Sequence, residues 1–222
     1  MEYTGLHSVH QPQPAAIREA LLWALAGLAL WLIGAWALTG ALPLEAPDTG
    51  GYREAGKDLI NGQWHPWRPP AYPWLLQASN ALFASEKPVL YFQAFCWMVQ
   101  CGLFGHLLAR YTASLKMRGL LGGLYMFSPG MISAGYWLLA EAPLLLCLQL
   151  GVWGLLVTPN QSKWSMAWLA MTTASLFKPV FFYPALMLLP LVAWTVFKKK
   201  MARFPAMAGL VIMLVYPAGI YL

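Results

Sequence analysis

Residues 20–42 read ALLWALAGLALWLIGAWALTGAL. The run carries no charged side chain. A helix needs about 20 mainly apolar residues to cross a bilayer, so this stretch predicts a membrane span. It is longer than a signal-peptide core, and no early Lys/Arg-rich segment precedes it, so the reading is a retained helix. The rest of the chain agrees. Of its 222 residues 59% are hydrophobic and 10% charged, with mean hydropathy +0.55. A soluble domain carries about 25% charged residues. So little charge excludes a mostly aqueous surface and implies an all-α integral membrane protein.

Further apolar runs follow at 88–109, 119–139, 142–158, 164–177, 180–197 and 204–222. The pattern predicts about seven spans. The fifth and sixth are the tightest, since Lys178-Pro179 alone separates them. Residues 1–19, with Gln11-Pro12-Gln13-Pro14, read as a loose tail. Residues 20–222 read as one transmembrane module. Cys96, Cys101 and Cys147 all fall inside apolar runs and carry no metal spacing, so they read as packing residues. Trp and Tyr near the run ends fit interfacial anchors.

Charge gives the orientation. Alternating spans put the N-terminus, 110–118, 159–163 and 198–203 on one side, with nine bases against Glu2 and Glu19. The other side holds five bases against six acids. The basic side is cytoplasmic by the positive-inside bias. The formal charge of +6 is thereby explained without nucleic acid.

The one long connection, 43–87, then lies outside, in a periplasm or equivalent lumen. It is rich in Trp, Tyr and Leu and does not read as a disordered linker. Two amphipathic helices are expected in it. One covers about 52–61, with Tyr52, Ala55, Leu59 and Ile60 on one face and Asn61-Gly62 as its stop. The other covers about 70–84, with proline at its start. Both would lie in the membrane interface, apolar faces down.

The same loop is the densest in ionisable groups. Asp48, in Asp-Thr-Gly-Gly, reads as a helix cap or turn former, or as a carboxylate facing a membrane cavity, where partial desolvation raises its basicity. Glu141 sits at the outer turn of a tight hairpin and reads as a solvated turn residue, or as an acid near membrane depth, where it is a functional candidate by default. Arg68, in Trp-Arg-Pro-Pro, is either an interfacial cation or a phosphate clamp suited to the guanidinium fork. Lys178 either snorkels or adds a second phosphate contact. His65 is a weaker acid/base candidate. Arg53, Glu54, Lys57 and Asp58 read as the wet face of the first loop helix, with weak local pairs. His106 reads as structural. Topology puts Asp48, Arg68, Glu141 and Lys178 on one face. Two acids and two bases there suit transfer from a lipid phosphate: an acid takes the acceptor's proton, and the cations hold the leaving phosphate.

The order of features resembles the membrane-embedded GT-C glycosyltransferases, the group that includes protein O-mannosyltransferases and the aminoarabinose transferase of lipid A. The matching segments are Asp48-Thr49-Gly50-Gly51-Tyr52, then Ala55 to Gly62, then Arg68-Pro69-Pro70-Ala71-Tyr72-Pro73, with Glu141 at the outer start of the fourth span and Lys178-Pro179 standing loosely for a basic-Pro step. The likeness covers about residues 20–200. It implies Asp48 as catalytic base with Glu141 as supporting acid. Arg68 and Lys178 would contact the donor phosphate, with Tyr52 and His65 beside them. It also implies a polyprenyl-phosphate sugar donor, an inverting transfer, and a lipid, glycan or protein acceptor. No cofactor is demanded, although some relatives use a divalent metal ion. Here Thr49 follows Asp48, so no two-carboxylate site is evident locally. Most relatives are much longer, so the chain corresponds to their N-terminal module. A non-catalytic membrane protein, such as a flippase for lipid-linked sugars, a transporter subunit or an assembly factor, is the alternative. A bacterial inner membrane is the expected location, with the site on the periplasmic face.

Overall fold

A computed structural model describes residues 13–40, 42–65, 67–157, 163–197 and 206–214. The tail to residue 12, the connections 158–162 and 198–205, and the ends of the expected seventh span lie outside the described residues. The described chain is helical, as its sequence predicts. Its one β-type pairing is a single parallel bridge between Leu44 and Trp137.

Helix α1, Gln13–Gly34, continues as a π-helical turn, Ala35–Thr39, and stops at Gly40, whose φ of 59° is left-handed. The loop helices are α2, Thr49–Ile60, and α3, Ala71–Phe83. Asn61 caps α2 and Gly62 follows at φ 75°, so the Asn-Gly stop works as expected. Then come α4, Lys87–Tyr111; α5, Leu115–Met126; α6, Pro129–Tyr136; α7, Glu141–Val157; α8, Lys163–Ser175; and α9, Phe182–Phe197. Residues 206–214 form α10.

Two stretches are long and apolar enough to cross a membrane, Pro14–Thr39 and Lys87–Tyr111. They pack along each other. The first buries only 17% of its apolar window. Leu21, Leu25, Ile33, Trp36 and Leu38 point outward, a contiguous apolar face that water would not tolerate. The other apolar helices are shorter. At 1.5 Å per residue, the 13 residues of α8 reach only about 20 Å, against a hydrocarbon core of about 30 Å.

The run expected as the third span is not one helix. Ser128 ends the α5 turn and caps α6, its hydroxyl accepting from the Met131 N–H. Pro129 supplies the first position of α6. After Tyr136 the chain is extended, and it is this piece that pairs with Leu44. Leu44 N–H donates to Tyr136 O at 3.1 Å, and Leu138 N–H donates to Leu44 O at 2.9 Å. Hydropathy hides the break, because it scores side chains and not backbone donors.

That break leaves carbonyls that the helix ladder cannot satisfy. Ala134 O loses the Leu138 N–H to Leu44, and Leu139 O faces Pro143, which has no N–H. Gln93 on α4, fully buried, repairs both. Its Nε2 lies 3.0 Å from Ala134 O, 2.8 Å from Trp137 O and 3.2 Å from Leu139 O. Below it, Gln100 donates to Ala142 O and Gln149 donates to Gln100 O.

The core has two parts relevant to function. One joins Trp31, Leu90, Trp97, Met126, Met131 and Tyr136 across α1, α4, α5 and α6. The other joins Tyr52, Tyr72, Leu76, Leu138, Leu144 and Phe177, and it forms a floor beneath α2 and the start of α7.

Candidate functional site

Main-chain bonds bring four remote segments to this floor. The Leu44–Trp137 bridge places the start of α2 beside the start of α7. Thr49, buried, reinforces it: its hydroxyl donates to Leu138 O at 3.1 Å and accepts from the Ala46 N–H at 2.8 Å. On the other side, Ala71 N–H donates to Leu176 O at 3.2 Å. That bond sets the Arg68 loop against the Lys178 loop.

The side chains meet accordingly. Asp48 occupies the N-cap position of α2, but its carboxylate makes no cap bond. Instead Arg68 Nη2 donates to Asp48 Oδ1 at 2.8 Å. Lys178 Nζ lies 2.6 Å from Glu141 Oε1. Glu141 Oε2 is buried and has no hydrogen-bond partner among the described residues. Asp48 and Glu141 line one cleft of 390 Å³, with Ser133 and Trp137 on its wall. Tyr52 lies beneath. Its ring centroid is 4.7 Å from the Arg68 guanidinium carbon, a cation–π contact. Its ring edge meets Tyr72, centroids 5.0 Å apart. Gly51 permits this layout, since a Cβ there would sit 3.2 Å from Arg68 Nε and Nη2.

The charges are matched as two pairs. The Arg68 hydrogen bond holds the Asp48 carboxyl below its usual range, against an opposing effect of burial, and the charges of Arg68 and Lys178 add to the lowering. The expectation that desolvation raises Asp48 basicity is therefore reversed in this arrangement. The carboxylate is half exposed and its partner outweighs the burial. Burial alone would lower the Lys178 ammonium, but the Glu141 carboxylate beside it holds it above its usual range. Burial raises the Tyr52 phenol.

Other residues fall differently. His65 accepts from the Trp67 N–H at 3.3 Å and makes only that local bond; nothing places it against the four. Arg53 is not part of a merely wet face. It grips Glu86 with two bonds of 2.7 and 2.6 Å, and Glu45 with a third of 2.7 Å. These partners lie far along the chain, beyond the reach of local spacing rules. Thr49, Gln93 and Glu86 position the site and were not evident from sequence. The one available signal was Gln93 and Gln100, seven positions apart on one face of an apolar helix.

A divalent metal fits poorly. Each acid faces a cation, and no group of three His, Cys, Asp or Glu side chains gathers among the described residues. An apolar groove of 480 Å³ runs between α2, α3 and the end of α8, lined by Leu59, Trp64, Trp74, Leu75 and Phe177. It begins at Pro70, two residues from Arg68, and reaches Phe177, next to Lys178. Comparisons with protein-family models, curated proteins and solved structures found no match.

Proposed function

We propose that the chain is a membrane-embedded glycosyltransferase module of GT-C type, with about seven spans. It moves a sugar from a polyprenyl-phosphate donor to a lipid, glycan or protein acceptor on the outer, periplasmic face of a bacterial inner membrane. One observation carries the reading. Two acids and two cations from four separate segments converge beside an apolar groove. In the described state both cations are spent on the acids. A donor phosphate offers each a stronger, charge-assisted partner. Arg68 and Lys178 turn to the phosphate, and Asp48 loses the charges that hold its carboxyl low. Asp48 then becomes a better base where base is needed.

The transfer balances simply. The acceptor hydroxyl oxygen attacks the anomeric carbon from the face opposite the phosphate, giving inversion. Its proton passes to Asp48. The bond from carbon to phosphate oxygen breaks, and the electron pair leaves on the polyprenyl phosphate, whose new charge Arg68 and Lys178 stabilise. Tyr52 holds Arg68 in place.

A second reading has its own observation. The α5–α6 break and the buried glutamines Gln93 and Gln100 put polar, broken structure deep in the bundle, as in transporters. A purified-protein assay with a radiolabelled polyprenyl-phosphate sugar separates the two. The transferase reading expects label in the acceptor with wild type and none with Asp48→Asn. Equal transfer by both proteins refutes Asp48 as base. Label moved across vesicles with none transferred supports the transport reading.

A further inference from the structure

At the opposite end of the bundle a second cavity, of 520 Å³, opens between α1, α4 and α7. Its size falls in the roughly 300–1,000 Å³ range of small-molecule sites. One part of its wall is apolar: Ile17, Leu21, Ala24, Val99 and Leu103. Gly102 lets α1 and α4 close together along this wall, since a Cβ there would come within 3.2 Å of Ala20 O and the Ala24 methyl. The other part is polar and basic: His106, Arg110 and Trp153.

Two of these polar groups, Arg110 and His106, have donors to spare. Arg110 makes no ion pair or hydrogen bond with any described residue. Glu19, a described acid at this end, is taken by Arg118 at 3.1 Å. Trp153 Nε1 donates to His106 Nδ1 at 3.2 Å. A ring nitrogen that accepts carries no proton, so the neutral imidazole keeps its hydrogen on Nε2 and has one donor left. Arg18, exposed on α1, follows the lining residue Ile17.

We infer that this cavity is a binding site for one anionic phospholipid of the cytoplasmic leaflet: the phosphate lies against Arg110 and His106 Nε2, and an acyl chain lies along α1 and α4. Charge complementarity carries the choice of occupant. An unpaired guanidinium and a spare imidazole N–H end an apolar channel on the basic side of the chain. The anionic leaflet of a membrane adds to the attraction. The inference rests on the membrane reading and is independent of glycosyl transfer.

The test uses the full chain, delipidated in neutral detergent and mixed with phosphatidylglycerol or phosphatidylcholine, with bound lipid counted by native mass spectrometry. Wild type is expected to retain phosphatidylglycerol preferentially. Arg110→Gln should cut that preference about tenfold, the scale of one lost charge-assisted contact. Lys116→Ala, which removes a charge at the same end but outside the cavity, should leave it intact. Equal loss in both variants means general surface attraction and overturns the site. Retained preference in Arg110→Gln overturns it too. A second readout guards against misfolding: brominated phosphatidylglycerol should quench wild type more than Trp153→Phe, and equal quenching refutes the placement. Inorganic phosphate at matched concentration should not displace the lipid; if it does, the site reads a free anion.

Discussion

Substituting Gln93 by leucine tests whether one amide repairs the helix break. The side chain is fully buried, and its Nε2 faces three carbonyl oxygens. Trp137 O keeps the Leu139 N–H at 2.8 Å when the amide goes. Ala134 O and Leu139 O are left unpaired, at about 1–3 kcal/mol each. The change also deletes Gln93 Oε1, which is buried without a partner, and so gives back about 1–3 kcal/mol. The net loss is about 1–3 kcal/mol, which for a chain of this length lowers Tm by about 2–12 °C. Gln93→Glu keeps an acceptor at both positions and removes the donors, so it should lose more. The assay is thermal unfolding of the full chain in detergent, followed by near-UV circular dichroism. The ordering is decisive: wild type above Gln93→Leu above Gln93→Glu. If Gln93→Leu matched wild type, or the glutamate variant were the more stable, the amide would not be donating to these carbonyls.

A double-mutant cycle of Arg53→Ala with Glu86→Gln should give a coupling of about 1–3 kcal/mol. The Glu45→Gln cycle should give a clearly smaller coupling, because that carboxylate is exposed. Similar couplings in both would refute the assignment of Arg53 to the α2–α4 junction. The Asp48–Arg68 pair has a pH signature. Asp48 titrates lower in the folded chain, so the pair stabilises at neutral pH, and the contribution fades as pH falls below 3.8 and further through the folded value. Asp48→Asn should flatten part of the acid side of a Tm-versus-pH curve, and an unchanged curve contradicts the pairing. At α1, the Trp23 ring occupies the space that a Cβ on Gly105 or Gly122 would need. Gly122→Val should therefore destabilise by about 1–3 kcal/mol, and adding Trp23→Ala should cost less than the sum of the two single changes; strict additivity refutes the contact.

The helical class and both loop helices were legible in the sequence. Their signals are local: an amphipathic period, Asn61-Gly62 as a stop, and prolines at a start. The proximity of Asp48 to Arg68 and of Glu141 to Lys178 was anticipated only as a shared face. Their pairing depends on which acid each cation reaches, and spacing does not encode that. Arg53 shows the same limit, since its partners Glu45 and Glu86 lie outside its own helix. In the run 119–139, Ser128-Pro129-Gly130 marked a break, but hydropathy still counted the run as one span because these residues hardly change it. Gln93 went unnoticed because its task is to satisfy atoms that exist only once that run has broken.

The tie between Thr49 and Leu138 also has a consequence for biosynthesis. The two residues are 89 positions apart. A ribosome adding about 10 residues per second leaves the 43–87 loop without this anchor for on the order of ten seconds after Thr49 is made. Through that interval Asp48 and Arg68 have each other as partners, while Glu141 and then Lys178 are still to come. The face is finished from its C-terminal side, so a chain stalled before Lys178 would expose a half-built floor to whatever chaperone meets the emerging chain.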